Sequence, residues 1–140
     1  TKLFNSQKLN HIIQSSNIEK FNFIEMSIST LSQIKDTYGF NKGNSISVNI
    51  AKEISLICDE ENIPFKLDGN KFGILIKDID NYKAICEKLN SIKININNKN
   101  EEIKLFISIT SGTKNDIIDK SSKNIDKAII NKIKQVVDIY

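Results

Sequence analysis

Two serines, Ser27 and Ser29, stand two residues apart in an apolar stretch, and either hydroxyl could serve as a nucleophile with a base beside it. The chain offers little to activate them. His11 is the sole histidine, so neither a Ser–His nor a Cys–His pair is expected, and a zinc cluster is equally out of reach. Ser27 and Ser29 therefore read as neutral strand residues. Lys35, Lys66 and Lys71 would make a mildly basic groove for a phosphate if their side chains converged; an evenly dispersed lysine surface is the simpler expectation. Lys71 belongs to the run Asp68-Gly69-Asn70-Lys71-Phe72, between Ile63-Pro64-Phe65-Lys66-Leu67 and Gly73-Ile74-Leu75-Ile76. A Gly flanked by Asp and Asn between apolar stretches signals a β-hairpin. Cys58 and Cys86 fall within apolar helical patterns and are expected as reduced, buried thiols, with no disulfide and no metal.

The rest of the composition narrows the function classes. The 140 residues are 39% hydrophobic and 26% charged, enough for one compact domain over 1–140 with a single core. A start at Thr1 without Met is expected of a fragment of a larger protein or of a processed chain. The net charge of +3 is spread along the chain with no basic block, so nucleic-acid binding is not expected. Every basic residue is Lys, and without Arg no bidentate fork is available for phosphate or carboxylate. No apolar run approaches a membrane span and no signal peptide is visible, which makes the cytoplasm the expected location.

Several elements must position these residues. Leu3, Phe4, Leu9, Ile12 and Ile13 have the spacing of a short amphipathic helix ending near Ser15-Ser16. Phe21 to Ile28 reads as a strand, with Phe21, Phe23 and Glu25 on one face. A brief helical turn at Leu31 to Ile34 is expected to break at Tyr38-Gly39 and again at Gly43-Asn44. A helix then runs from Ser45 through Cys58, capped by Asn44 or Ser45. Pro64 opens the first hairpin strand, where a missing N–H does least harm. Asp80 would cap a helix burying Tyr82, Ile85, Cys86, Leu89 and Ile92. Lys93 to Asn97 alternates, Asn98-Lys99-Asn100 turns, and Glu102 to Thr110 alternates again. A last helix from about Asn115 to Lys134 and a strand from Val136 to Tyr140 close the chain. This order predicts an α+β sandwich with a ferredoxin-like β-α-β-β-α-β kernel, additional N- and C-terminal helices and a β-hairpin.

Six ordered segments resemble the GGDEF family, the diguanylate cyclase domains. Asp68-Gly69-Asn70-Lys71-Phe72 is similar to its signature hairpin, and Thr1-Lys2-Leu3-Phe4-Asn5 to its "LTGLxNR" entry, with Ser6 for the usual Arg. Ser27 to Asp36 stands where the family has "DxDxFKxIND", and Gly39 to Asn44 where it has "GHxxGD". Phe106 to Gly112 resembles the late "TxSxG" strand and Ile125 to Ile133 the closing "ADxALYxAK" helix. The resemblance implies a nucleotidyl-cyclase-like fold, and it implies that in the family the first Asp of "DxD" and the signature Glu hold magnesium. Here the two Asp positions are Ser27 and Ser29 and the Glu position is Lys71, an ammonium that would repel the ion. The guanine-reading Asn and Asp become Lys35 and Asn44. Leu31-Ser32 replaces the Phe-Lys pair, Asp59 and Asn62 fall on the "RxxD" inhibition motif, and Ile133, between Lys132 and Lys134, falls on a phosphate-contacting Lys. Asp36, Gly39, Gly43, Gly69, Phe72, Ser108 and Gly112 persist, chiefly as turn and packing residues.

The resemblance thus implies a degenerate domain in which Ser27, Ser29, Lys35, Asn44, Asp68, Gly69, Asn70, Lys71 and Phe72 mark a vestigial site without metal or cofactor. Asn70 and Lys71 are expected as solvated turn residues, in preference to Lys71 standing in for the missing ion. The implied role is a regulatory or protein-interaction module in bacterial cyclic di-GMP signalling, not a cyclase. Its partners would be a protein, neighbouring domains of the same chain, a second copy in a homodimer, or a nucleotide. The alternatives are a magnesium-independent sensor of GTP, ATP or cyclic di-GMP, and behind it a slow nucleotide hydrolase.

Overall fold

Strand β1 (Lys20–Ile28) is buried on both sides, and its two faces carry different chemistry. Ile24, Met26 and Ile28 point to one side of the sheet, while Phe21, Phe23, Glu25 and Ser27 alternate onto the other. The computed structural model describes residues 3–96 and 98–140, with Glu102 described by its backbone alone. Thr1 and Lys2 of the entry segment, and Asn97 of the expected Lys93 to Asn97 alternation, lie outside the described residues.

The remaining strands are β2 (Ile63–Lys66), β3 (Lys71–Ile76), β4 (Lys93–Ile96), β5 (Lys99–Glu102), β6 (Leu105–Thr113) and β7 (Gln135–Asp138). The helices are α1 (Ser6–Ser15), α2 (Ser29–Tyr38), α3 (Phe40–Ile57), α4 (Tyr82–Asn90) and α5 (Ile117–Ile130). The main sheet has the order β2-β3-β1-β6-β7, and β4 and β5 form a separate pair. β1 runs antiparallel to both β3 and β6, β2 antiparallel to β3, and β7 parallel to β6. The first four strands of that order, with their helices, are the expected β-α-β-β-α-β kernel.

A larger core joins Ile24, Met26, Ile28, Phe72, Ile74, Ile76, Ile107 and Ile109 of the sheet to α2, α3 and α4. A smaller one lies on the opposite face, where Leu9 and Ile13 of α1 and Ile117 of α5 meet Phe21, Phe23, Phe65 and Leu75. Before α1, the Phe4 carbonyl accepts from the Lys66 N–H at 2.8 Å, covering part of the β2 edge. Among the described residues no helix is long and apolar enough to cross a membrane.

Several boundaries differ from expectation. The chain breaks at Gly39, whose φ of +91° suits glycine, but continues as helix through Gly43 and Asn44. Neither Asn44 nor Ser45 caps α3, because both lie inside it. Asp80 sits in a short 3₁₀ turn ahead of α4, and its N–H is taken by the Asp78 carboxylate at 3.0 Å. The expected Glu102–Thr110 strand is divided: Glu102 belongs to β5, while β6 begins at Leu105. Asn100 also pairs within β5, and the left-handed turn residue is Asn98, with φ +66°. The last helix is shorter than Asn115 to Lys134, and β7 begins at Gln135 and ends at Asp138. The hairpin turn is also tighter, since Lys71 and Phe72 are the first residues of β3.

Candidate functional site

The hairpin tip reaches over the junction of β1 and α2. Leu67 N–H donates to the Lys71 carbonyl at 3.0 Å to close the turn, with Gly69 at φ +71°. The Asn70 carbonyl then accepts from Ile28 N–H at 2.9 Å, tying the tip to the end of β1. Ser27 lies directly across from Lys71 on β3 and Phe106 on β6, and Ser29 is the first residue of α2. Ser29 is thus helical, not a strand residue. Topology does bring Ser27, Ser29, Asn70 and Lys71 to one end of the sheet.

Asn70 is not a free turn residue. Its amide donates to Ser32 Oγ, and its Oδ1 accepts from the Lys35 ammonium at 3.5 Å. The aliphatic stem of Lys35 passes directly over Gly43, where any Cβ would collide with Lys35 Cγ. The Lys35 ammonium also stands 6.0 Å from the centre of the exposed Phe40 ring. Asn44, the other position that the resemblance assigns to guanine reading, lies exposed on α3. Lys66 turns back on the hairpin: its ammonium donates to the Leu67 and Gly69 carbonyls, both at 2.6 Å, above the Phe72 ring. Burial, with help from the Lys35 charge, lowers the Lys66 pKa.

Lys71 faces the other side of the sheet and is half-buried, with its ammonium 3.5 Å from Asp126 Oδ1 on α5. Of the three lysines, Lys35 and Lys66 both bond to the hairpin tip, at Asn70 and Gly69, whereas Lys71 pairs with α5. Asp68 and Gly69 are exposed at the tip, and Phe72 is fully buried beneath it. Asp59 holds its turn by accepting from Glu61 N–H at 2.9 Å, and Asn62 accepts from Lys77 N–H, beyond β3, at 3.4 Å. Ile133 follows α5, and its N–H donates to the Ala128 carbonyl at 2.9 Å. Cys58 is half-buried and Cys86 buried, both as free thiols, and burial pushes their pKa values up to about 12 and about 11.

Residues outside the sequence expectation complete the neighbourhood. Glu25 is 6% exposed, and its Oε1 accepts from Ser121 Oγ of α5 at 2.8 Å. Burial raises the Glu25 pKa, against the lowering effects of the Ser121 hydrogen bond and the Lys71 charge. A carboxylate in phase with Phe21 and Phe23 was the available signal for Glu25. Nothing in local sequence announces Asp126 as the partner of Lys71.

The positions that the resemblance assigns to magnesium hold two neutral hydroxyls and an ammonium, a donor set that does not fit a hard dication. Among the described residues no group of three or more His, Cys, Asp or Glu side chains could hold a metal ion.

A ferredoxin-like kernel whose hairpin tip folds over the β1–α2 junction defines a nucleotidyl-cyclase-like domain. Over residues 1–135 the chain matches the family described as "Diguanylate cyclase, GGDEF domain", and it belongs to that family. Solved structures agree on the fold. The diguanylate cyclase SiaD of Pseudomonas aeruginosa, in complex with its activator SiaC, superposes with a TM-score of 0.81 at 12% identity, covering 99% of this chain. The chain spans 59% of the length of that SiaD chain. The GGDEF domain of YfiN (TpbB) from the same organism gives a TM-score of 0.81 at 15% identity, over 99% of this chain and 96% of that one. The active GGEEF domain of a Vibrio cholerae diguanylate cyclase gives 0.79 at 19% identity, over 99% and 98%. No curated protein matches the chain.

Proposed function

We propose that this GGDEF domain is a cytoplasmic regulatory or protein-interaction module of a signalling protein and makes no cyclic di-GMP. The observation that carries the reading is the occupation of the site by the chain's own side chains. Asn70 is held by Ser32 and Lys35, and Lys71 is paired with Asp126. No carboxylate stands at Ser27, Ser29 or Lys71 to organise a dication and triphosphate. The Lys35 stem lies against Gly43, which fills the space beside a position implied to read guanine. The framework around these groups remains well packed, as an interaction domain requires. A cyclase neighbour is known with a protein activator, and that kind of partnership suits a domain whose surface outlasts its chemistry.

A second reading, a magnesium-independent nucleotide sensor, is favoured by two ammonium groups bonded to the hairpin tip, Lys35 at Asn70 Oδ1 and Lys66 at the Gly69 carbonyl. One neighbour, DgcB of Caulobacter crescentus, was solved with cyclic di-GMP. Melting curves with GTP, ATP, GDP and cyclic di-GMP separate the two. A ligand at a hundredfold excess over its Kd adds about 2.7 kcal/mol of stability. Unchanged melting with all four supports the interaction module, and a saturable rise with any of them supports the sensor.

A further inference from the structure

On the sheet face away from the hairpin's contact with α2, a cavity of about 220 Å³ opens between α1, β1, the hairpin and α5. Leu9, Phe23 and Ile118 supply apolar walls, Glu25 and Lys71 line it from the sheet, and the exposed Asp68 stands at its rim. The volume corresponds to about seven waters of bulk liquid, enough for a small organic molecule.

Glu25 distinguishes this cavity from an ordinary surface groove. Its side chain is almost wholly withdrawn from solvent, with Oε1 bonded to Ser121. Among the described residues, no donor reaches Oε2 and no cation lies within 4 Å of the carboxylate. Ser108 stands directly across from Glu25 on β6, and its buried Oγ has no hydrogen-bond partner, so that position offers the carboxylate nothing either. Lys71 is drawn to Asp126 instead. Oε2 is not sealed in the core, since Ser108 Oγ is the buried side-chain atom without a partner among the described residues, so Oε2 is left to accept from whatever fills the cavity.

We propose that this cavity is a binding site for a small organic cation, a primary amine or amidine with an apolar body, whose N–H groups are taken by Glu25. The apolar body lies among Leu9, Phe23 and Ile118, and Asp68 attracts the charge at the entrance. A metal ion is disfavoured because Glu25 is the one carboxylate on the inner lining. An anion would meet that same carboxylate at the floor, and Lys71, the cation on the lining, is already paired with Asp126. The site is separate from the hairpin network of Ser32, Lys35 and Asn70, so it stands whichever reading of that network holds.

Benzylamine, hexylamine and benzamidine test the proposal against two isosteres, neutral benzyl alcohol and anionic benzoate. Binding is followed by amide chemical shifts in ¹H–¹⁵N spectra of the whole chain. At least one cation should give saturable shifts concentrated on β1, the start of α1 and the first turns of α5. Benzyl alcohol should bind at least about tenfold more weakly than the bound cation, and benzoate should show no saturation. Glu25→Gln keeps an acceptor for Ser121 and should weaken the cation by about tenfold or more. Ser122→Trp, at the exposed rim, should block it by filling the mouth. The proposal is overturned if none of the three cations binds, if the neutral isostere binds as well as the cation, or if Glu25→Gln leaves the affinity unchanged. Should Glu25→Gln fail to fold, the contrast between cation and isostere on the unmodified chain decides alone.

Discussion

Lys35 lies across Gly43 with its side-chain stem in the place a Cβ would occupy, so the two residues join α2 to α3 at one point. That contact explains a glycine inside α3, where helix propensity favours almost any other residue. Gly43→Ala should therefore destabilise the domain by about 1–3 kcal/mol in urea denaturation, because the obstacle is the root of Lys35 and not its mobile end. With Lys35→Ala in the background, the same change should cost nothing, or stabilise by up to about 1 kcal/mol through helix preference. An equal penalty in both backgrounds would show that Lys35 is not the obstacle.

Glu25 makes stability depend on pH with a definite sign. Burial under α5 raises its pKa above the ordinary glutamate range, so the folded state binds its proton more tightly than the unfolded state. Stability from this group is fully present below the unfolded value and declines as pH rises through the raised folded value. The charged groups facing it, Lys71 from β3 and Asp126 from α5, oppose one another and leave burial as the dominant cause. Urea denaturation from about pH 4 upward should show that decline in the native chain and a flatter profile in Glu25→Gln. Identical profiles would remove Glu25 as the cause.

The two thiols should be poor nucleophiles in the folded chain. With pKa values near 12 for Cys58 and 11 for Cys86, roughly one thiol in a thousand or fewer is ionised at pH 8. Reaction with a disulfide reagent should therefore be slow for both and should accelerate in urea as the chain unfolds. Rapid labelling of Cys58 under native conditions would contradict its burial beside α3.

Much of this architecture was legible from residue types. Alternation in β1 and β6, the Asp-Gly-Asn turn and the three-to-four spacing in α1, α3 and α4 are local signals, and they placed the kernel and the hairpin correctly. Gly43 misled because glycine reads as a break, whereas here it answers a side chain eight residues away. Asn44 has the side chain of a cap, although the helix begins before it, at Phe40. The site was legible in its residue types but not in its contacts. Ser27, Ser29, Asn70 and Lys71 do come to one end of the sheet, yet Asn70 and Lys71 are not the solvated pair that a hairpin tip suggests. Their partners come from α2 and from α5, the latter 55 residues away, and only the folded sheet brings Asp126 to Lys71. Asp59 and Asn62 likewise show their purpose only in the fold, where Asp59 holds the Glu61 N–H of its turn and Asn62 the Lys77 N–H beyond β3.

With Ser27, Ser29 and Lys71 where the resemblance implies carboxylates, no cyclase activity is expected. The most direct test is incubation of the purified domain with GTP and magnesium, and separately with manganese, followed by chromatographic detection of cyclic di-GMP. At protein concentrations high enough for two copies to meet, no product above a protein-free control is expected, with GTP recovered intact. Accumulation of cyclic di-GMP that depends on the metal and scales with protein concentration would contradict it.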